Sequence, residues 1–213
     1  MGPWRHLLVP YALTLVVAVS VGCSRAAVKA PKFSPAVAAR QALAEFDADK
    51  DGSLDANELA KCPGLLAAKS AIDQDKDGRL SESEIVARLR AYQGSHDVVK
   101  LFPCRVLLDE QPLAKATVTL VPEKFLGPTF KPCTGVTMEG GDALVAAEDV
   151  RAKGFSGVYC GLYRVQISCK DAAGKEILAA HYNTETTLGL EVPADSEPGK
   201  GIVFRLSSRS SSH

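Results

Sequence analysis

Two short stretches of the chain, DADKDGSLDANE at residues 47–58 and DQDKDGRLSESE at residues 73–84, repeat one acidic design. Carboxylates this close together repel one another and cannot pack in a protein core. They must therefore stay in solvent or surround a cation. A repeat of the same design within so short a span indicates an internal duplication.

Both stretches follow the spacing of a cation-binding loop of about twelve residues. Aspartates stand at the first, third and fifth positions, glycine permits a sharp turn at the sixth, and a glutamate at the last can close the site with two oxygens. The seventh position contributes its backbone carbonyl, so its side chain is free to vary. The predicted ligand positions are Asp47, Asp49, Asp51, Ser53, Asp55 and Glu58 in loop 1 (47–58), and Asp73, Asp75, Asp77, Arg79, Ser81 and Glu84 in loop 2 (73–84).

This pattern resembles a pair of EF hands, and the resemblance implies two bound Ca²⁺ ions. Leu54 and Leu80 stand where paired loops of this family make a short two-stranded contact. Magnesium fits less well, because it prefers a strict six-oxygen shell and keeps its waters. Loop 1 carries five acidic ligand positions and loop 2 carries four, so we expect loop 1 to bind more tightly. Dockerins also carry duplicated loops, but they lack the entering helices that we predict here.

The residues around the loops predict helices over 36–92, the region of the EF-hand pair. Apolar residues recur on one face before each loop, and Pro63-Gly64 breaks the helix between the repeats. These apolar residues are Ala42, Leu43 and Phe46 before loop 1, and Leu65, Leu66 and Ile72 before loop 2.

A structural calcium site is a better interpretation than a calcium sensor. Sensor EF hands open a groove rich in methionine, whereas the chain has only Met1 and Met138, both outside the EF region. Without calcium the carboxylates repel, so we expect the domain to lose stability when the ion is chelated.

The first residues indicate export. Arg5 precedes an apolar run that ends in small residues, as in a signal peptide over residues 1–22. Cys23 then stands where the resemblance to a bacterial lipobox implies a lipid anchor, and residues 24–35 form a tether. Ordinary cleavage at the same bond and a retained membrane anchor are the alternatives. We expect a membrane-anchored lipoprotein of the cell envelope, or else a secreted or periplasmic soluble protein.

Composition limits the possible partners. Basic and acidic residues balance at 25 each, which gives no reason to expect nucleic acid as a partner. Six cysteines in an exported chain indicate disulfides, although several could instead be small buried hydrophobes. No spacing favours a zinc site, and the pairing stays open among Cys62, Cys104, Cys133, Cys160 and Cys169.

After a linker at 93–97, residues 98–207 change character. Short runs rich in β-branched and aromatic residues, separated by turn residues, predict an antiparallel β-sandwich, and we expect a disordered tail at 208–213. The predicted core residues are Val106, Leu108, Val118, Leu120, Val165, Ile167, Leu190 and Phe204.

The phrase QPLAKATV at 111–118, the run GLYRVQI at 161–167 and ILAAHYNTETTLGLEV at 177–192 carry a second resemblance. They are similar to transthyretin-like, carboxypeptidase-regulatory-like domains, which implies a seven-stranded sandwich without catalysis. Together with EF hands behind a lipoprotein-like signal, the chain resembles exported proteins of planctomycete-type bacteria. The fold class predicted is thus two-domain α + β.

No catalytic residue can be nominated, because the chain lacks GxSxG, HExxH and P-loop motifs. The sequence therefore predicts a non-enzymatic calcium-binding protein with a structural, adhesion or assembly role, whose partner is an envelope protein or glycan. The alternatives are a calcium-dependent accessory subunit of an envelope enzyme and a calcium-responsive signalling module.

Overall fold

The computed structural model describes residues 28–94, 98–195, 199 and 201–208. The predicted signal peptide and the predicted lipid-bearing Cys23 lie outside the described residues. So do parts of the predicted tether, linker and tail. Within the described ranges, every helix is too short or too polar to traverse a bilayer.

The first described half is helical, as the apolar spacing predicts. Ser34 caps the first helix by accepting a hydrogen bond from the amide of Val37, and proline occupies its first turn. The predicted break lies just before Pro63: one helix ends at Leu59 and the next begins at Pro63, with Gly64 as its second residue. The helices are α1 (Pro35–Phe46), α2 (Ala56–Leu59), α3 (Pro63–Ile72) and α4 (Glu82–Gly94).

Two very short strands join the acidic loops. Strand β1 (Ser53–Leu54) pairs antiparallel with β2 (Leu80–Ser81), so that Leu54 lies opposite Leu80. Both leucines are fully buried, and α1 packs against α4 beside them. Of the apolar residues predicted to face this core, Leu43 is only partly buried and Leu66 is exposed.

The second half is rich in β-structure, as predicted. One small helix, α5 (Glu148–Arg151), and two short 3-10 turns interrupt the strands. The strands are β3 (Val99–Lys100), β4 (Phe102–Leu108), β5 (Gln111–Pro112), β6 (Thr117–Pro122), β7 (Cys133–Val136), β8 (Asp142–Ala147), β9 (Val158–Tyr159), β10 (Gly161–Ser168), β11 (Gly189–Val192) and β12 (Ile202–Leu206).

The main sheet runs in the order β11-β10-β6-β7-β8-β4-β12 and curls around the core. Strand β8 turns the corner, because its first residues pair with β4 and its last two pair with β7. One pair differs from the antiparallel arrangement that the sequence predicts: β12 lies parallel to β4.

The predicted β-core is largely confirmed. Seven of its eight residues are buried, and Leu108, near the end of β4, is only partly buried. Among the described residues, Tyr163 on β10 is the largest fully buried side chain, and its hydroxyl donates to the carbonyl of Tyr159 at 2.8 Å.

The helical half packs directly onto the sheet, so the two halves share one continuous core. Helix α3 contacts β10 and β11. At this contact Gly189 approaches the carbonyl of Pro63 so closely that a Cβ there would lie 1.7 Å from the oxygen. The buried Glu123 accepts hydrogen bonds from the amide of Gly64 at 2.9 Å and from Arg164 at 3.0 Å.

A second polar contact ties α4 to the sheet. Arg88 and the hydroxyl of Tyr92 both donate to Glu191 on β11, each at 2.5 Å. The phenol is almost fully buried, and its burial beside the Glu191 carboxylate raises the pKa of Tyr92. The hydroxyl therefore acts here as a neutral donor.

The expectation of disulfides is wrong for the described cysteines. The five form no disulfide among the described residues and all five are buried, which matches the alternative that they act as small hydrophobes. Burial also raises the pKa of Cys104 to about 11 and that of Cys133 to about 12. These thiols are filling space in the core.

Candidate metal centre

The two loops fold in the same way because each carboxylate is held by nearby backbone amides. In loop 1, Asp47 Oδ2 accepts from the amide of Gly52 at 3.0 Å, and Asp49 Oδ1 accepts from the amide of Asp51 at 3.2 Å. Loop 2 repeats both bonds, from Gly78 to Asp73 at 3.1 Å and from Asp77 to Asp75 at 3.1 Å. The duplication seen in sequence is therefore a duplication of hydrogen bonds.

The glutamate at the end of each loop is fixed at both oxygens. Glu58 accepts from the amide of Ala48 at 2.6 Å and from the amide of Asp55 at 2.9 Å. Glu84 accepts from the amides of Gln74 and Ser81, each at 2.9 Å, and from the Ser81 hydroxyl at 2.7 Å. Burial opposes the ionisation of Glu84, but these hydrogen bonds outweigh it and lower its pKa.

Three carboxylates converge in each loop. Oxygens of Asp47, Asp49 and Glu58 all lie within 4.8 Å of one another, and the same holds for Asp73, Asp75 and Glu84. Oxygen atoms on three carboxylates are the ligands that a hard divalent cation prefers.

The other predicted ligand residues are placed around these clusters. Asp55 caps α2 by accepting from the amides of Asn57 and Glu58. Asp51 Oδ1 accepts from the amide and hydroxyl of Ser53, while Asp77 Oδ1 accepts from the amide of Arg79. The side chains of Asp51 and Asp77 are thus in the loops but outside the two convergent groups.

Crowding shifts the acidity of loop 1. The amide of Asp51 favours the ionised form of Asp49, but desolvation and the charges of Asp51 and Glu58 outweigh it and raise the pKa of Asp49. The amide and hydroxyl of Ser53 hold the pKa of Asp51 below its ordinary value, and Arg79 adds to this effect. A cation in the loop would relieve the repulsion around Asp49.

One buried carboxylate oxygen in each loop has no hydrogen-bond partner among the described residues. These two oxygens are Asp47 Oδ1 and Asp73 Oδ1. A buried carboxylate oxygen without a partner is costly, unless a ligand satisfies it. Because the two oxygens occupy equivalent positions in the two loops, the residues present fit a bound cation at each.

Sequence reasoning missed the side chain of Arg79. The loop pattern predicts only a backbone carbonyl as ligand at this position, but the guanidinium extends to loop 1, where Nε donates to Ser53 Oγ at 2.7 Å and the group pairs with Asp51. The sequence signal for this contact is the arginine itself, since a positively charged side chain at the seventh position of one loop lies near the carboxylates of the paired loop.

The comparisons with known proteins agree with this geometry. A family model described as "EF hand" matches residues 40–63 and 70–87, which contain both loops and parts of their flanking helices. No curated protein matches the chain.

A solved structure that matches is the crystal structure of a leucine-rich repeat protein from Bacteroides thetaiotaomicron VPI-5482. The two chains are 10% identical, and the match covers 53% of this chain and 12% of that one, with a TM-score of 0.30. A likeness this loose carries no argument about the β-rich half. The loops and helices between residues 40 and 87 are similar to EF hands, and their acidic clusters indicate calcium binding.

Proposed function

We propose that this protein binds two calcium ions in its EF-hand pair as constitutive structural ions, and that it is exported and anchored to the cell envelope through a lipid on Cys23. The chain acts by adhesion or assembly and performs no catalysis. Its partner is an envelope protein or a glycan.

The observation that carries the calcium proposal is the pair of unpartnered buried oxygens, Asp47 Oδ1 and Asp73 Oδ1. The second oxygen of Asp47 and of Asp73, and both oxygens of Glu58 and Glu84, accept hydrogen bonds from backbone amides of their own loop. Each loop therefore leaves one buried carboxylate oxygen that a bound cation would satisfy.

The twelve ligand positions would hold the two ions through carboxylate, hydroxyl and backbone oxygens. The bound ions would supply positive charge that offsets the repulsion among the carboxylates. The residues would be Asp47, Asp49, Asp51, Ser53, Asp55 and Glu58 for one ion, and Asp73, Asp75, Asp77, Arg79, Ser81 and Glu84 for the other.

A structural role is favoured over a sensor role because the apolar faces of the helices are already covered. Leu65 on α3 and Ile85 and Leu89 on α4 are fully buried in the core shared with the sheet. A sensor must expose such a face to bind its target. Here, exposing it would break the contact between the two halves of the chain.

The β-rich half is proposed to be a transthyretin-like binding module. The curled sheet and the strand phrases at 111–118 and 161–167 support this, as does the run of predicted strands without a catalytic motif. Fold class alone supplies no activity, so the ligand of this module must be found by experiment.

The calcium proposal is tested by calorimetric titration. Calcium is added to the full chain, purified in mild detergent and freed of calcium with a chelator. We expect two ions per chain and a higher melting temperature. Glu58→Gln and Glu84→Gln, which keep the shape of the side chain, should each remove one site. No heat of binding up to several millimolar calcium would contradict the proposal.

Mass spectrometry of the N-terminus of the natively expressed protein tests the anchor separately. We expect a diacylglycerol-modified Cys23 at the first position. An unmodified N-terminus at the same residue would support the soluble exported form instead.

A further inference from the structure

The side chain at the seventh position of loop 2 leaves its own loop. Arg79 Nε donates to Ser53 Oγ at 2.7 Å, and the guanidinium forms an ion pair with the carboxylate of Asp51. Both partners are predicted ligand positions of loop 1, and Asp51 lies 28 residues before Arg79.

The register of the two loop strands produces this contact. Because Leu54 pairs with Leu80 and the strands are antiparallel, the residue before Leu80 lies beside the end of β1 and the start of α2. Arg79 therefore reaches the acidic side of loop 1.

The contact has no counterpart in the other direction. The residue of loop 1 at the same position is Ser53, which carries no charge. A positive side chain of loop 2 thus lies beside loop 1, whereas the equivalent residue of loop 1 places no charge beside loop 2. Arg79 also engages the carboxylate of Asp51, which would otherwise be available to an ion.

We propose that Arg79 is a built-in competitor for calcium at loop 1, so that loop 2 fills first and loop 1 fills with lower affinity. This order is the reverse of the one expected from counting acidic residues, since the arginine offsets the extra carboxylate of loop 1. The same contact steadies loop 1 when calcium is absent. The inference rests on the proposed calcium binding.

Replacing Arg79 with glutamine tests the proposal, because the backbone carbonyl at this position is kept. In the full chain, Arg79→Gln should raise the calcium affinity of one site by about three- to tenfold, the range expected for loss of a neighbouring positive charge near the surface. It should also lower the melting temperature of the chelated protein. Arg79→Lys keeps the charge but loses the Nε donor. Its calcium affinity and its melting temperature without calcium should lie between those of Arg79→Gln and of the unmodified chain.

Arg90→Gln is the matched control. Arg90 is exposed on α4, and its replacement removes the same charge from the same helical half. We expect Arg90→Gln to change the calcium affinity by less than about a factor of two. The melting temperature of the calcium-free protein should stay the same.

Variants in which one calcium site is disabled show which loop is affected by Arg79→Gln. In Glu84→Gln, where loop 1 alone binds, Arg79→Gln should raise the affinity. In Glu58→Gln, where loop 2 alone binds, it should leave the affinity unchanged. An equal gain in both backgrounds, or no gain in the first, overturns the proposal while leaving calcium binding intact. If the unmodified chain binds no calcium, the proposed function fails and this inference fails with it.

Discussion

The ligand side chains of each loop are arranged before any ion arrives. Backbone amides hold one oxygen of Asp47, Asp49, Asp73 and Asp75, and both oxygens of each closing glutamate are fixed in the same way. Ordering a side chain in advance reduces the entropy lost on binding. The loops therefore depend on their own backbone for shape and on the ion for charge.

The buried thiols give a prediction for alkaline pH. The pKa of Cys104 is raised to about 11 and that of Cys133 to about 12, chiefly by burial and then by the nearby carboxylates of Asp142 and Asp149. Since the folded pKa exceeds the ordinary value of 9.0, this stabilisation is complete below pH 9 and is lost as the pH rises towards the folded values. Urea unfolding at pH 8 and pH 10.5 should show a fall in the free energy of unfolding.

The control for this prediction is the double variant Cys104→Ala and Cys133→Ala. It removes both titrating groups, so its free energy of unfolding should fall less between the two pH values. An equal fall in the variant would assign the alkaline loss to other groups.

At the residue scale, the sequence predicts the ligand residues within each loop but not the side-chain contacts between distant parts of the chain. Aspartate, glycine and glutamate positions can be recognised because each residue serves its own short stretch. The contact of Arg79 with Asp51 and that of Glu123 with Gly64 join residues 28 and 59 positions apart. Neither follows from local spacing, because both depend on how the elements pack.

At the scale of elements, the break between the two EF-hand repeats also serves as the docking point for the sheet. Pro63 starts α3, and Gly64 offers its amide to Glu123 because no side chain stands in the way. A Cβ on Gly64 would lie 2.8 Å from Glu123 Cγ. The small residues here allow a helix end and a strand to approach closely.

Gly189→Ala tests this close approach. The added Cβ would lie 1.7 Å from the carbonyl oxygen of Pro63, so β11 and α3 must separate. We expect the free energy of unfolding to fall by at least about 2 kcal/mol, as for overpacked cores. Gly94→Ala on α4, where nothing lies within 4 Å, is the control and should be neutral or slightly stabilising. Equal effects in urea unfolding would contradict the docking of α3 on β11.

Glu123→Gln tests the polar part of the same contact. The Glu123 carboxylate is 1% exposed and pairs with Arg164, whereas the Glu110 carboxylate of the ion pair with Arg205 is 68% exposed. We expect Glu123→Gln to lower the free energy of unfolding by about 1–3 kcal/mol. The control Glu110→Gln should change it by less than about 0.5 kcal/mol. Similar losses in both variants would show that burial of Glu123 does not strengthen its pair.

The elements themselves were predicted unevenly from sequence. Strands β4, β6, β10, β11 and β12 follow from their β-branched and aromatic runs. Strands β7 and β8 do not, because Gly135 interrupts the first and alanine fills much of the second. Their neighbours impose the extended form, since β7 lies between β6 and β8 in the sheet.

At the scale of the whole molecule, one core links calcium loops to sheet. Helix α3 ends where loop 2 begins, and it contacts β10 and β11. Helix α4 leaves loop 2 and is tied to β11 through Glu191. We therefore expect calcium binding at the loops to stabilise the β-rich half through these packed helices.

Chelation should accordingly destabilise the entire chain. At a free calcium concentration about a hundred times the dissociation constant, each site adds about 2.7 kcal/mol. Removing the ions should lower the melting temperature by about 10 °C or more. The far-ultraviolet circular dichroism of the helices and the near-ultraviolet circular dichroism of the tyrosines should show one unfolding transition at the same temperature.

A variant carrying both Glu58→Gln and Glu84→Gln serves as the control, because its melting temperature should no longer respond to the chelator. Two separate transitions, of which only the helical one responds to calcium, would contradict a shared core.

The parallel pairing of β12 with β4 also affects biogenesis. The strand that completes the edge of β4 is synthesised about a hundred residues after it, so β4 waits with an open edge while the intervening chain leaves the ribosome. An open edge is a template for pairing with another chain. We therefore expect a nascent or proteolysed chain that ends before Ile202 to aggregate through the unpaired edge of β4.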